Sequence, residues 1–197
     1  MTDLFSLEQS QWLMAVVALL LLLWWVYRRR RGDRLRSVLN EIGYDRIDGL
    51  VIPNGDEGEI QIDELLLTSQ GLLIIDIKNI TGKVFGGDKM QEWTVIGEDR
   101  RYTFPNPQGA LYDRMAAVRQ IVRQVPVIGR LLFLDEAEFM KGIPEHVTDL
   151  DGLLKEFGEQ DKAAAKVKID AYKSHWDLIR KEALGAQVHQ IFGHRKK

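Results

Sequence analysis

Two short apolar runs in the middle of the chain predict a β-hairpin. The runs cover residues 60–68 and 72–80, and Ser69, Gln70 and Gly71 separate them. Runs of this length that are rich in Ile and Leu and flank a tight connection are typical of paired antiparallel strands. We therefore expect this hairpin to form the centre of a sheet.

Three charged residues fall on one face of the predicted hairpin. Pairing outward from the turn places Asp63 opposite Asp76, and the alternation of side chains places Lys78 on the same face as Asp76. Opposed like charges destabilise antiparallel strands, so a neutralising partner is expected. One candidate is Mg²⁺, which proteins bind through one or two carboxylates together with water or phosphate oxygens. The alternative is a salt bridge from Lys78 to one carboxylate, with the other at a solvated strand end.

The rest of the hydrophobic pattern predicts a mixed α/β domain in which a sheet is flanked by helices. Further strands are predicted over residues 47–52, 82–85, 92–96, 100–104 and 130–135. Helices are predicted over residues 32–43, 150–157 and 163–184, and another begins after Asn106, with Pro107 at its first position. The apolar stripe of the last helix, which includes Ile169, Tyr172 and Trp176, predicts packing against the sheet. Binding of a protein partner is the alternative.

An uncharged apolar run near the N-terminus predicts a membrane anchor. Residues 12–27 read WLMAVVALLLLLWWVY, and four arginines follow at residues 28–31. A helix of this run covers about 24 Å, and interfacial aromatic residues and arginines extend it toward the roughly 30 Å of a hydrocarbon core. A cleaved signal would carry positive charge before the run, whereas Asp3 and Glu8 stand there. An entirely buried globular helix is the other alternative.

The position of the arginines predicts the topology and the domain order. Positive residues remain on the cytoplasmic side, so we expect a single-pass protein of the inner membrane with a cytoplasmic C-terminal domain. The predicted segments are a short extracytoplasmic N-terminus at 1–11, a transmembrane helix at 12–27, a basic juxtamembrane segment at 28–31, an α/β domain at 32–143 and a helical C-terminal extension at 144–197.

Composition excludes several kinds of site. The chain has 197 residues, a formal charge of −2 and no cysteine, so disulfides, zinc-thiolate clusters and thiol nucleophiles are excluded. The balanced charge argues against a wholly basic nucleic-acid coat. Local basic residues at Arg100, Arg101, Arg114, Arg119 and Arg123 could still follow a phosphate backbone. Solvated surface arginines are the alternative for these positions.

The hairpin and its neighbours resemble the NERD family, the nuclease-related domain. The resemblance rests on Gln-Ile-Asp at residues 61–63, on GLLIIDIKNITGKVFG at residues 71–86 and on Trp93, in that order. It covers about residues 32–125, and the family is placed within the PD-(D/E)XK nuclease-like superfamily. The resemblance implies a restriction-endonuclease-like mixed sheet and cleavage of DNA that depends on Mg²⁺ or Mn²⁺.

The resemblance also implies roles for individual residues. It makes Asp63 and Asp76 the metal-binding acids and Lys78 the catalytic lysine. Asp33, which follows Gly32 where the family often has Gly-Glu, is a further candidate metal ligand. Glu64 replaces a common histidine, and Ala110 stands near the place of a common glutamine. These two positions depart from the family pattern.

The expected function is that of a membrane-anchored, cytoplasm-facing nuclease. Asp63 and Asp76 would hold Mg²⁺, and Lys78 would assist the attacking water or stabilise the transition state. Retention of all three residues favours this enzyme. The altered helix acid and the missing glutamine favour the alternative, a non-catalytic nucleic-acid-binding or scaffold module at the inner membrane.

Overall fold

A computed structural model describes residues 2–53, 58–134, 136–158 and 162–193. Within these ranges, the side chains of residues 2–11, 13, 28, 31, 53, 162 and 184–193 are outside the description. The last four residues of the predicted extension, 194–197, also lie outside it. The chain divides into two compact units, Met1–Val38 and Leu39–Lys197.

The first helix, α1, is longer than the sequence pattern predicted. It runs without a break over Thr2–Ile42, so the prediction of a separate helix that starts near Asp33 is wrong. Gly32 is the only poor helix former between the apolar run and that predicted start, and an isolated glycine costs a helix only about 1 kcal/mol. The neighbouring arginines are good helix formers, so the helix continues through this point.

The apolar run lies inside α1. Its described side chains are largely exposed, as Trp12 and residues 19–23 show. Among the described residues, however, no helix has the length and apolar character needed to cross a membrane. The predicted transmembrane helix at 12–27 is therefore not supported, and the apolar run is itself shorter than a hydrocarbon core.

The larger sheet has five strands in the order β1-β2-β3-β7-β9. Its strands are β1 (Asp45–Pro53), β2 (Glu59–Thr68), β3 (Gly71–Lys78), β7 (Val127–Phe133) and β9 (Val147–Thr148). The pairs β1–β2 and β2–β3 are antiparallel, whereas β7 lies parallel to both β3 and β9. The central strand β3 is almost wholly buried, as expected for a strand covered on both faces.

The smaller sheet has four strands in the order β6-β5-β4-β8. Its strands are β4 (Gly82–Phe85), β5 (Glu92–Ile96), β6 (Arg101–Pro105) and β8 (Ala137–Phe139). Trp93 of β5 packs against Phe133 of β7, with ring centroids 6.1 Å apart. The two sheets therefore share one hydrophobic core.

Three helices follow the hairpin along the chain: α2 (Pro107–Ile121), α3 (Leu150–Phe157) and α4 (Lys162–Gly193). Helix α2 packs on β7, α3 contacts β9, and α4 packs on β1 and β2. Trp176 of α4 is buried, and its indole N–H donates to the Asp45 carboxylate at 2.9 Å. The predicted mixed α/β fold, with sheets flanked by helices and a C-terminal helix, is confirmed.

The hairpin has the predicted register. Thr68 pairs with Gly71, and the pairing continues to Glu64 with Ile75. Gly71 has a φ of +129°, which L side chains rarely adopt. The next residue, Leu72, donates its N–H to the Pro126 carbonyl at 2.8 Å. Gly71 thus lets the hairpin turn closely against the segment that leads into β7.

We predict that Gly71→Ala lowers the free energy of unfolding by about 3 kcal/mol or more. A Cβ at this position would overlap the Pro126 carbonyl oxygen, so overpacking adds to backbone strain. Gly58→Ala is the matched control, because Gly58 also has a positive φ, +116°, but its Cβ would meet open space. We expect a loss of about 1–2 kcal/mol there. Urea unfolding of the full chain in detergent measures both, and equal losses would contradict the prediction.

Candidate active site

Asp76 and Lys78 lie on one face of β3, near its carboxyl end. Lys78 Nζ is 2.7 Å from Asp76 Oδ1. Asp76 is buried, whereas the Lys78 side chain remains 26% exposed. The lysine therefore neutralises the buried carboxylate and still reaches solvent.

Asp63 lies where the β2–β3 ladder stops. The last backbone pair is Glu64 with Ile75, and Asp63 Oδ2 accepts a hydrogen bond from Ile77 N–H at 3.1 Å. The β1–β2 ladder also skips Asp63, opposite Gly49, whose φ is +60°. The Asp63 carboxylate thus takes the place of a backbone carbonyl as the partner of a β3 amide. This contact turns Asp63 toward the strand that carries Asp76.

The two carboxylates are close enough to affect each other. Burial raises the pKa of Asp63 above its usual value, and the hydrogen bond from Ile77 opposes this shift. The nearby Asp76 carboxylate raises the pKa of Asp63 further, whereas Lys78 lowers it. The structure therefore brings Asp63, Asp76 and Lys78 together.

A second cation, which the sequence pattern did not assign to the site, reaches Asp76 from α2. Arg114 Nη1 lies 3.3 Å from Asp76 Oδ2, and Arg114 Nε donates to the Gln61 carbonyl at 2.7 Å. Asp76 Oδ2 itself is buried and makes no hydrogen bond. The spacing in α2 could have predicted this contact. Arg114 stands three residues after the buried Leu111, so it borders the helix face that packs on the sheet.

A polar cluster fixes the start of α2. The Asn106 side chain accepts a hydrogen bond from Gln108 N–H at 3.0 Å and donates to the Met90 carbonyl at 2.8 Å. The buried Gln108 donates to Asp88 Oδ1 at 2.9 Å, and this bond is the largest of the causes that lower the pKa of Asp88. The predicted cap at Asn106 is confirmed. Because this cluster anchors α2, it also determines where Arg114 meets β3.

The predicted role of Asp33 as a metal ligand stays a prediction. Asp33 is an exposed residue of α1 within the first unit. In the part of the chain that the structure describes, no group of three or more His, Asp or Glu side chains could hold a metal ion. The described site thus offers two carboxylates, Asp63 and Asp76. This pair fits Mg²⁺, which often takes one or two carboxylates and fills its other positions with water or phosphate oxygens.

Apart from Arg114, the arginines predicted to follow a phosphate backbone divide into two pairs. Arg100 and Asn79 both line a cavity of about 310 Å³. Asn79 directly follows Lys78 in the chain. The Arg100 guanidinium lies 5.3 Å from the Tyr102 ring, and the exposed Arg101 begins β6.

The other pair lies at the far end of the larger sheet. Arg119 donates to the carbonyl of Val127, the first residue of β7, at 2.9 Å, and Arg123 lies in the turn before that strand. Lys78 instead pairs with Phe133 at the end of β7. Six residues of strand separate these ends by about 20 Å. The structure therefore does not bring Arg119 and Arg123 to the site.

Comparison with known proteins identifies the family of the chain. The nuclease-related domain family, NERD, matches residues 26–134, which is more than half of the chain. The chain belongs to the NERD family. The matched range includes Asp63, Asp76, Lys78 and Arg114, and the family resemblance predicted from the hairpin is confirmed.

A curated relative supports the same region. It is a protein of Bacillus anthracis named only as uncharacterized, and it is 24% identical over 101 residues, covering 51% of this chain and 48% of the relative. The chain thus matches about half the length of that relative. No solved structure is significantly similar to the chain.

Glu64, the residue after Asp63, is another carboxylate whose burial disfavours its ionised form. Its Oε2 is buried without a hydrogen bond, and Arg46 Nε lies 3.7 Å away. Burial raises the pKa of Glu64 to about 7, and the neighbouring Asp48 contributes in the same direction. An ionised Glu64 therefore costs the folded state free energy at neutral pH.

We predict that Glu64→Gln stabilises the metal-free protein at pH 8 but not at pH 4.5. Because the folded-state pKa of Glu64 is raised from 4.5 to about 7, the wild type loses stability as the pH rises through this interval and the glutamine variant does not. The full shift corresponds to about 3 kcal/mol, and solvent screening reduces it to about 1–2 kcal/mol. Urea unfolding in EDTA at both pH values measures the difference.

The control for Glu64→Gln is Glu98→Gln, at an exposed residue after β5. Its stability relative to wild type should be the same at both pH values. A Glu64→Gln variant whose advantage does not grow with pH would contradict the prediction.

Proposed function

We propose that this NERD protein is a nuclease that hydrolyses DNA phosphodiester bonds with Mg²⁺ or Mn²⁺. One arrangement carries the proposal: the Asp63 carboxylate accepts a hydrogen bond at 3.1 Å from the amide of Ile77, which directly follows Asp76, and Lys78 Nζ is 2.7 Å from Asp76 Oδ1. Membership of the nuclease-related family supports the same chemistry. The proposal includes assignment of the sheet to the restriction-endonuclease-like class of the PD-(D/E)XK superfamily.

Asp63 and Asp76 are the proposed metal ligands. A bound divalent ion would shield the charge of the scissile phosphate and lower the pKa of a water molecule. Asp63 keeps one carboxylate oxygen on Ile77 N–H, which holds the group in a fixed orientation. The ligand pair is therefore positioned by backbone as well as by side chains.

Lys78 is the proposed catalytic residue. Asp76 holds its ammonium group in place, and the partial exposure of its side chain lets it contact a substrate phosphate. A positioned cation stabilises the negative charge that develops on phosphate oxygens in the transition state. Arg100 and Arg101, on the side of Asn79, are the proposed contacts to the flanking DNA backbone.

A non-catalytic DNA-binding or scaffold module is the second candidate function. It is favoured by the two cations that already neutralise Asp76 and by the lack of a third carboxylate in the described cluster. Such a module would bind DNA through its arginines without needing Mg²⁺. The two functions therefore differ in their response to metal and to the loss of Lys78.

We predict that Lys78→Met and Asp63→Asn each lower Mg²⁺-dependent cleavage of DNA by about 100-fold or more. The first removes a cation that stabilises the transition state, and the second removes a proposed metal ligand. Lys83→Met is the matched control, since Lys83 is an exposed lysine of the neighbouring strand β4, and its activity should stay near wild type. Cleavage is measured with the full chain in detergent, on labelled single- and double-stranded DNA. Arg100→Gln should weaken DNA binding in fluorescence anisotropy without abolishing cleavage.

Two results would decide against the nuclease. Equal residual cleavage in wild type, Lys78→Met and Asp63→Asn would identify a contaminating activity. DNA binding that is unchanged by EDTA, together with no cleavage in any preparation, would establish the scaffold function instead.

We also propose that residues 12–27 attach the protein to the inner membrane with its α/β unit on the cytoplasmic side. Large apolar side chains are exposed along this part of α1, from Trp12 to Tyr27. Exposed apolar surface of this extent favours contact with lipid or protein. The exposed Arg29 and Arg30 that follow suit the anionic cytoplasmic leaflet. Attachment of this kind would also leave the C-terminal helices available to a protein partner.

We predict that the full chain co-floats with vesicles of phosphatidylcholine and phosphatidylglycerol, and that the double variant Leu20→Glu, Leu23→Glu loses at least about tenfold of this binding. Charged groups in the apolar run would have to leave water on insertion. The matched control is the double variant Val167→Glu, Leu178→Glu, which places the same two charges on exposed apolar positions of α4. If both variants floated like wild type, attachment through residues 12–27 would be excluded.

A further inference from the structure

We propose that Arg114 is an internal cation that stands in for the divalent metal at Asp76 and must be displaced when metal binds. This inference rests on the proposed function, because it concerns the same pair of carboxylates. It adds a residue that sets the metal affinity and that acts through Asp76. Arg114 is therefore a positioning residue.

The charges of the site balance without metal. Two carboxylates, Asp63 and Asp76, face two cations, Lys78 and Arg114. A divalent ion added to this arrangement would bring two further positive charges close to both cations. Repulsion at such distances is substantial in a partly buried site. Metal uptake is therefore favourable only if one of the cations moves away.

Arg114 is the cation that is held less firmly at Asp76. Lys78 Nζ makes a hydrogen bond of 2.7 Å to Asp76 Oδ1 from two residues along the same strand. Arg114 Nη1 approaches only to 3.3 Å, and Asp76 Oδ2 has no hydrogen bond. Arginine that serves a structural carboxylate usually forms two parallel hydrogen bonds. The Arg114 contact is thus mainly electrostatic, and it leaves the lone pairs of Oδ2 for a metal.

The position of Arg114 links this contact to the end of the strand ladder. Its Nε donates to the carbonyl of Gln61 on β2, while its Nη1 faces Asp76 on β3. The guanidinium therefore bridges the two strands just beyond their last backbone pair, Glu64 with Ile75. In this place it stabilises the metal-free hairpin, which would otherwise hold two carboxylates with one lysine.

Arg119 shows the contrast on the same helix. It donates to the backbone carbonyl of Val127 and makes no ion pair with a described carboxylate. Its removal deletes a guanidinium from α2 without changing the charge at Asp76. Arg119→Gln is therefore the matched control.

The decisive experiment measures Mn²⁺ binding to the metal-stripped full chain in detergent, without DNA, from the electron paramagnetic resonance signal of free Mn²⁺. Arg114→Gln should lower the Kd for Mn²⁺ about tenfold or more, since a competing unit charge is removed. Arg114→Lys keeps the charge, so its Kd should stay within about threefold of wild type. Arg119→Gln should stay within about twofold.

The urea concentration of unfolding gives a second readout. It distinguishes a cation that metal replaces from an arginine with an ordinary structural role. Arg114→Gln should unfold at lower urea concentration than wild type in EDTA and recover when Mn²⁺ is added, because the metal then replaces the missing cation. A stability loss that Mn²⁺ does not recover would overturn the inference. So would an Arg114→Gln variant that binds Mn²⁺ no better than wild type.

The wild-type protein provides a test that does not depend on folding of a variant. In ¹⁵N-arginine spectra of the full chain in micelles, addition of Mg²⁺ should shift the Arg114 Nε–H signal as its bond to Gln61 is lost, and leave that of Arg119 unchanged. An unchanged Arg114 signal at saturating Mg²⁺ would reject the displacement of Arg114 but not the proposed metal site. Absence of Mn²⁺ binding in wild type and in Arg114→Gln would reject the metal site of the proposed function with it.

Discussion

The site depends on the burial of one carboxylate, Asp76, between a lysine and an arginine. A buried charge is tolerated only when partners neutralise it. Strand β3 is covered on both faces, so solvent cannot supply those partners to Asp76. Lys78 comes from the same strand, and Arg114 comes from α2. Since Asn106, Gln108 and Asp88 fix the start of α2, the charge balance of the site depends on a polar cluster at some distance from it.

The end of the hairpin ladder gives the site its shape. Backbone pairing of β2 with β3 stops after Glu64 and Ile75, and the Asp63 side chain then bonds to the amide of Ile77. The hydrogen bond to Ile77 directs the Asp63 carboxylate toward β3, the strand that carries Asp76. Asp63 remains partly exposed at the end of the ladder, beside the buried Asp76. A local defect in the sheet is thus part of the proposed chemistry.

Family membership and local geometry contribute different parts of the functional argument. The NERD match establishes the kind of domain, whereas the contacts of Asp63, Asp76 and Lys78 support a particular chemistry. Lys78 and Arg114 neutralise Asp76 in the absence of metal, and they also compete with a metal ion for its carboxylate. If the metal displaces Arg114, this guanidinium has both roles: it stabilises the metal-free fold, and its displacement sets the affinity for the ion.

The sequence by itself determined the hairpin register, the strands 82–85 and 92–96, the helix Leu150–Phe157 and the Asn106 cap, because turn residues and periodicity act over a few neighbours. It also identified the family. Only the tertiary structure decided which elements meet: Arg114 is 53 residues from Gln61, and β8 and β9 are short strands that form through distant pairing. Periodicity states which face of an element is buried, but not what covers it.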